Sequence, residues 1–218
     1  MKSFRIFQKY SAIRLVASTF GILVGLAGIE HGIFEILQGN VKPDGLLVDA
    51  IGPAQRFWEY GSETALTVIP NMLLSGILAI FFGIVVSIWA AYFINRKYGA
   101  LVFMFLSVIL WLVGGGFAPL FMAVFGFIAA SRIDSPLNYW RTRLSGFLKR
   151  FLAMLWPWPI IIYVVVFVFG VEIAIFGYPL LWFFSAEVTY SIQWTLAYVM
   201  IVFLPLSIFT AIAFDIKE

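Results

Sequence analysis

The chain of 218 residues has no cysteine, one histidine and few charged residues. Without cysteine it can form no disulfide, no thiolate metal site and no cysteine nucleophile. Charged residues make up 11% of the chain and hydrophobic residues 63%, whereas soluble domains have about 25% and about 45–50%. This composition excludes an ordinary soluble domain and predicts an integral membrane protein.

Long apolar runs cover most of the chain, at 15–37, 66–94, 100–130, 151–176 and 190–214. Runs of about 18 residues or more are typical of membrane-spanning helices. The first run follows a basic N-terminus, but it is longer than the apolar core of a signal peptide, so we expect it to be retained as a span. No part of the chain differs in composition, so we predict one transmembrane domain, 1–218, surrounded by lipid bilayer. No pattern of basic residues favours nucleic-acid binding.

The run at 100–130 contains "GGGFAP", Gly114 to Pro119, at its middle. Each glycine weakens a helix by about 1 kcal/mol and an interior proline by about 3 kcal/mol, so we expect the chain to turn back there. If the run crossed once, the 14 Lys and Arg residues would divide six against eight; with a hairpin only Lys42 and Arg56 lie opposite the other twelve. Because positive residues favour the cytoplasmic side, we prefer the hairpin.

The predicted fold is therefore an all-α polytopic membrane helix bundle in the cell membrane, with both termini cytoplasmic. Its six spans are approximately 14–38, 66–94, 99–114, 117–131, 151–176 and 190–214. The hairpin arms are short, because about 15 residues of helix reach only about 22 Å against a hydrocarbon core of about 30 Å. Four spans with a re-entrant hairpin therefore remain an alternative, and the topology of the ends is the same in both cases.

The segment 131–150 between the fourth and fifth spans is basic and patterned. Asp134 or Ser135 can cap a helix that has Pro136 at its first position, and apolar residues then recur every three or four positions. We predict an amphipathic cytoplasmic interfacial helix near 136–150, with basic residues placed near anionic lipid headgroups. A specific acidic-lipid or regulatory site is the alternative. The basic residues are Arg141, Arg143, Lys149 and Arg150.

The stretch "GIEHGIFEILQG", at 28–39, places three ionisable groups in the outer third of the first span. Charged groups within spans are costly and usually face a protein interior or a water-filled cavity. Polar residues at a similar depth on other spans suggest a shared, outward-facing polar pocket, while the inner half has no ionisable group. The candidate residues are Glu30, His31, Glu35, Gln38, Asn71, Glu172 and Gln193.

A stripe of glycines lies on another face of the first span. Gly21, Gly25, Gly28 and Gly32 form small-xxx-small pairs, which let a neighbouring helix approach closely. We expect the first span to be central in the bundle. Its close partner is either the second span or another subunit, which would be a membrane protein partner or a second copy of the chain.

The spacing of His31 and Glu35 allows three kinds of chemistry. At i and i+4 they can chelate one divalent metal ion, with Glu30 and Glu172 adding oxygens; the chain lacks an HExxH motif and a second histidine. They can share a proton in an acid/base or pH-sensitive site. Together with Glu30 they can also form a structural polar network with Asn71, Gln193, Glu63 or the outer loop that holds the helices in register.

These observations favour a non-enzymatic binding, sensing or accessory subunit, for which no cofactor is predicted. The alternative is a membrane-embedded enzyme or metal-binding protein that uses His31, Glu35, Glu30 and Glu172. A small transporter or channel is a second alternative, which the apolar inner half disfavours.

Overall fold

A computed structural model describes residues 11–216. The basic residues at 2, 5, 9 and 217, which enter the charge count, lie outside the described residues. The described part contains eight α-helices and one short antiparallel β-hairpin. The elements are α1 (Ala12–Leu37), β1 (Leu47–Asp49), β2 (Thr64–Leu66), α2 (Met72–Tyr92), α3 (Gly99–Leu112), α4 (Phe117–Ala130), α5 (Asn138–Arg143), α6 (Gly146–Leu155), α7 (Trp158–Phe176) and α8 (Ala186–Asp215).

Four of these helices, α1, α2, α7 and α8, are long and apolar enough to cross a membrane. This confirms that the protein is a membrane helix bundle. The helices α3 and α4 are also apolar but have 14 residues each, or about 21 Å of helix. The predicted fifth span begins later than expected, at Trp158, because residues 151–155 belong to α6.

The predicted turn at the triple glycine is present, and it separates α3 from α4. Thr67 pairs with Val113 in an isolated β-bridge, and the Val68 amide donates to the Leu112 carbonyl oxygen at 2.9 Å. The turn therefore lies at the same end of the bundle as the long connection 38–71. We call this end the loop end, and the opposite end, which carries 93–98 and 131–157, the basic end.

The glycine stripe of α1 packs within the chain, mainly against α2. The Gly83 carbonyl oxygen and the Ser87 side chain face Gly25, and a Cβ on Gly32 would lie 2.6 Å from the Gly76 carbonyl oxygen. Next to this seam, Gly28 contacts Leu110 of α3. Small residues on both helices let the two backbones touch, so this face is filled by α2 and α3 rather than left for another subunit.

The start of α1 is tied to the end of α8 at the basic end. The Asp215 carboxylate accepts hydrogen bonds from the Ser11 hydroxyl at 2.7 Å, the Ala12 amide at 2.8 Å and the Ile13 amide at 3.0 Å. A carboxylate is favourable there because the first amides of a helix have no partner within it. Both terminal helices therefore meet at one end of the bundle.

The predicted interfacial helix is broken into α5 and α6. Leu144 and Ser145, which separate the two helices, both have extended backbone. Ser145 is the N-cap of α6, since its hydroxyl accepts from the Leu148 amide at 3.3 Å. The predicted cap at Asp134 or Ser135 is wrong, because α5 starts only after Leu137, whose φ is +51°. Of the four basic residues, Arg141 and Arg143 lie at the end of α5, and Lys149 and Arg150 lie in α6.

Candidate functional site

The connection 38–71, which we call the cap, folds over the loop end of α1. The Gln38 side-chain amide donates to the Asp49 and Ala50 carbonyl oxygens at 3.0 and 2.9 Å. The Trp58 indole donates to the Ala174 carbonyl oxygen of α7 at 3.2 Å. These bonds attach the cap to two helices and enclose the side chains at the end of α1.

His31 is buried under the cap, with 2% of its surface exposed. Its Nε2 lies 3.3 Å from Oε2 of Glu63 and 3.9 Å from Oε2 of Glu30. The β-hairpin sets the position of Glu63, since the Ala50 amide donates to the Glu63 carbonyl oxygen at 2.8 Å, next to the Asp49–Thr64 pair. His31 therefore pairs with a carboxylate of the cap.

Glu63 is ionised in this pair. Loss of water around its carboxyl group acts to raise the pKa of Glu63, but the hydrogen bond with His31 and the charge of that imidazole outweigh this, and the pKa is lowered from its ordinary value of 4.5. The side chain of Glu63 is 41% exposed. The pair is thus anchored in the bundle through His31 and reaches solvent through Glu63.

Glu35 lies one helical turn from His31 and is fully buried. Neither of its carboxyl oxygens has a hydrogen-bond partner among the described residues. Ser75 of α2 lies beside it, but the Ser75 hydroxyl donates to the Val113 carbonyl oxygen at 3.0 Å. An ionised carboxyl group without a partner in such a place is strongly unfavourable.

The turn between α3 and α4 forms the roof over Glu35 and His31. Gly114 and Gly116 have φ values of +106° and +80°, which favour glycine. A Cβ on Gly114 would collide with the Glu35 carboxyl group, and one on Gly116 would lie 2.5 Å from His31 Nε2. The triple glycine is therefore needed both for the turn and for the close approach of its backbone to the two side chains.

These groups form one acidic cluster, Glu30, His31, Glu35 and Glu63. Among the described residues no Lys or Arg forms an ion pair with it, and Arg56 of the cap pairs with Asp49 at 2.7 Å instead. With three carboxylates and one imidazolium, the fully ionised cluster would carry two excess negative charges. Glu35 is fully buried without a charged partner, so its ionisation is the least favourable of the three, and a proton or a cation would offset its charge.

A cavity of about 10 Å³ adjoins the cluster. Glu30, His31 and Glu63 line one side, and Val171, Ala174 and Ile175 of α7 are among the residues of the other. Such a volume holds about one water molecule, whereas sites for small organic ligands have about 300–1,000 Å³. The cavity is therefore matched to water or to a small ion.

The predicted metal site at His31 and Glu35 lacks a set of ligands. Between residues 11 and 216 no three His, Asp or Glu side chains are arranged to hold a metal ion. His31 Nε2 faces Glu63, and Glu35 lies under Gly114. The two side chains thus have different partners, although their spacing along the helix would allow them to chelate one ion.

The remaining candidates lie outside the cluster. Asn71 caps α2 by accepting from the Leu74 amide at 2.9 Å, and its side chain also donates to Asn40 of the cap. Glu172 of α7 is exposed and is not among the residues that line the cavity, so its place in the polar pocket stays a prediction. Gln193 of α8 is half-buried and is not among the residues that line the cavity.

Sequence reasoning named Glu63 only as a possible partner in a network and treated the triple glycine only as a turn. A charged residue just before an apolar run was the only available signal for Glu63.

The chain matches no protein-family model, and no curated protein or solved structure matches it either.

Proposed function

We propose that the protein is a non-enzymatic membrane protein of the binding or sensing class that responds to protons through the cluster of Glu30, His31, Glu35 and Glu63. The observation that carries this proposal is the grouping of three carboxyl groups around one imidazole, with His31 and Glu35 buried and no Lys or Arg partner among the described residues. Charge balance then requires added positive charge, and the adjoining cavity of about 10 Å³ admits nothing larger than water or a small ion.

Protonation at this place acts on the contact between several parts of the fold. His31 faces Glu30 and Glu35 of its own helix and Glu63 of the cap. Ser75 of α2 lies beside Glu35, while the glycine turn and the α7 wall add no titratable group. A change of charge in the cluster would therefore alter how firmly the cap and the α3–α4 hairpin are held on α1, which is the kind of local electrostatic change that a sensor uses.

The proposed topology has six spans, with the loop end outside and both termini cytoplasmic in the cell membrane. Support comes from the charge count of twelve against two and from Asp215 of α8, which caps the first turn of α1 at the basic end. In this orientation Glu63 reports on the external solution.

The structure gives less support to a transporter than to a sensor. Ser107, Ser207 and Thr210 are buried polar residues far along the helices from the cluster, but their hydroxyls donate to carbonyl oxygens of their own helices at 2.8, 2.7 and 2.9 Å. Such internally satisfied groups do not form a chain of donors and acceptors across the bundle. An enzyme would need room for a substrate at the cluster, and the cavity there is far smaller than such sites require.

The single histidine makes a direct test practical. Protein labelled with ¹⁵N-histidine in lipid nanodiscs gives one imidazole to follow by NMR as the pH is changed. In wild-type protein we expect one titration, and Glu63→Gln should move its midpoint by about 1–2 pH units, because a hydrogen bond to a charged group contributes about 1.5–3 kcal/mol. Glu59→Gln, at an exposed position on the same cap, should leave the midpoint in place. Proton sensing by the cluster would be refuted if the imidazole did not titrate between pH 4 and 10, or if Glu63→Gln left its titration midpoint unchanged.

A further inference from the structure

A second cavity, of about 350 Å³, lies at the basic end, independent of the cluster. It forms where the turn between α2 and α3 meets the connection between α4 and α5. Its polar wall includes Arg96 and Lys97 from the first segment and Ser131 and Ser135 from the second. Its volume lies within the range of about 300–1,000 Å³ that is usual for sites of small molecules.

The charge of this cavity is positive and unpaired. Neither Arg96 nor Lys97 forms an ion pair with any described residue. Lys97 Nζ lies 5.2 Å from the centre of the Tyr98 ring, which keeps the ammonium group beside the cavity. Asp134 also lines the cavity and reduces the balance to one net positive charge. The Ser131 hydroxyl donates to the Ile128 carbonyl oxygen at 2.8 Å, so the two cations supply the chemistry that recognises a phosphate group.

The cavity also has an apolar side. Ile94, Ala100, Leu101 and Ala130 contribute to its lining, and Leu101 and Tyr98 expose 58% and 63% of their surfaces. A free phosphate ion would gain nothing from these groups, whereas a phospholipid would place its phosphate on the cations and its glycerol and first methylene groups along Leu101. Basic pockets between spans at the headgroup level bind such lipids.

We propose that this cavity binds the phosphate group of an acidic glycerophospholipid headgroup through Arg96 and Lys97. The site is separate from Arg141, Arg143, Lys149 and Arg150, which lie on the short helices α5 and α6 and do not line this cavity. The bound lipid bridges the two segments that close the basic end, so its occupancy holds the α2–α3 turn against the α4–α5 connection.

Native mass spectrometry on the purified full chain, released from micelles that contain phosphatidylglycerol or phosphatidylcholine, tests the site. Wild-type protein should retain one phosphatidylglycerol in preference to phosphatidylcholine. The double variant Arg96→Gln/Lys97→Gln should lower this retention about 25-fold, since each cation near a headgroup contributes about fivefold. The matched control Lys149→Gln/Arg150→Gln removes the same charge from α6 and should retain the lipid. Thermal unfolding in micelles checks that both variants remain folded.

Two single variants sharpen the test. Asp134→Asn removes the opposing charge and should increase retention of phosphatidylglycerol about fivefold. Ser135→Trp fills the cavity without a change of charge and should abolish retention. Equal losses in the two double variants would show general attraction and overturn the proposal, as would equal retention of the two lipids. If millimolar inorganic phosphate displaced the lipid or bound equally well, the site would be one for soluble phosphate and the lipid assignment would be wrong.

Discussion

His31 Nε2 of α1 lies 3.3 Å from the Glu63 carboxylate of the cap. This contact joins a side chain that is 2% exposed to one that is 41% exposed. Glu30, at 25%, is the other partly exposed member of the cluster, while Glu35 is closed off under the glycine turn. Solvent therefore meets the cluster at Glu63 and Glu30, and the proposed response to protons begins at these two carboxyl groups.

The attachment of the cap should weaken in acid. Because the pKa of Glu63 is lowered below 4.5 by its contact with His31, the pair stabilises the closed cap fully above pH 4.5. That stabilisation is lost as the pH falls through the native pKa. We expect hydrogen exchange of residues 45–66, after correction for intrinsic rates, to rise in a step below pH 4.5 that is due to Glu63.

Variants of the cap separate this effect from general acid unfolding. Glu63→Gln should exchange about two- to fivefold faster than wild type already at pH 7, in line with a partly exposed ion pair, and should lack the step below pH 4.5. Glu59→Gln should follow the wild-type profile. A step that persists in Glu63→Gln would assign it to another carboxyl group.

The glycine turn should be sensitive to a single methyl group for two distinct reasons. Gly116→Ala places a Cβ at φ +80° and against the His31 ring. Gly39→Ala is a matched control, because Gly39 has φ +84° with nothing within 4 Å of its Cβ position. Both variants should lose about 1–3 kcal/mol from the positive φ, and Gly116→Ala should lose about 1–3 kcal/mol more from overpacking. Thermal unfolding in micelles measures the difference. Equal losses would show that the turn between α3 and α4 shifts to accommodate the added methyl group.

Asp215 should stabilise the basic end by capping α1. Asp215→Asn keeps the size of the side chain but removes its charge and replaces one accepting oxygen by a donor, so three hydrogen bonds to Ser11, Ala12 and Ile13 are weakened. We expect a loss of about 1 kcal/mol in the free energy of unfolding. Asp44→Asn, at an exposed position of the cap, should have no measurable effect. If the two substitutions lower the free energy of unfolding equally, the hydrogen bonds from Asp215 to the start of α1 contribute nothing to stability.

The parts of the fold that follow from local chemistry could be predicted from sequence. Apolar length predicted the four long helices, glycine and proline predicted the turn, and small residues predicted the close packing of α1. The depth of a residue in a span follows from its position along the helix, and this placed Glu30, His31 and Glu35 together in the outer third of the first span. The direction in which a side chain faces is set by tertiary packing, and for that reason the sequence could not show that Glu172 is exposed and does not line the cavity.

The partner of His31 depends on information that the sequence carries only weakly. Glu63 reaches the imidazole because two three-residue strands pair in one register, with Asp49 opposite Thr64. Strands this short have little pattern of their own, and a shift by one residue would turn Glu63 to the other face. The break between α5 and α6 was missed for a similar reason, since Ser145 can either continue an exposed helix or cap a new one.

The orientation of the bundle in the membrane can be tested with single cysteines, because the chain contains none. Thr64→Cys in the cap and Phe117→Cys beside the glycine turn, where Phe117 is 41% exposed, should both react with an impermeant maleimide on intact cells. Thr142→Cys on α5 should react only after permeabilisation. The bridge between Thr67 and Val113 requires the cap and the turn to lie at the same end, so their labels must agree. Labelling of Thr142→Cys alone on intact cells would invert the proposed topology and place the acidic cluster at the cytoplasmic face.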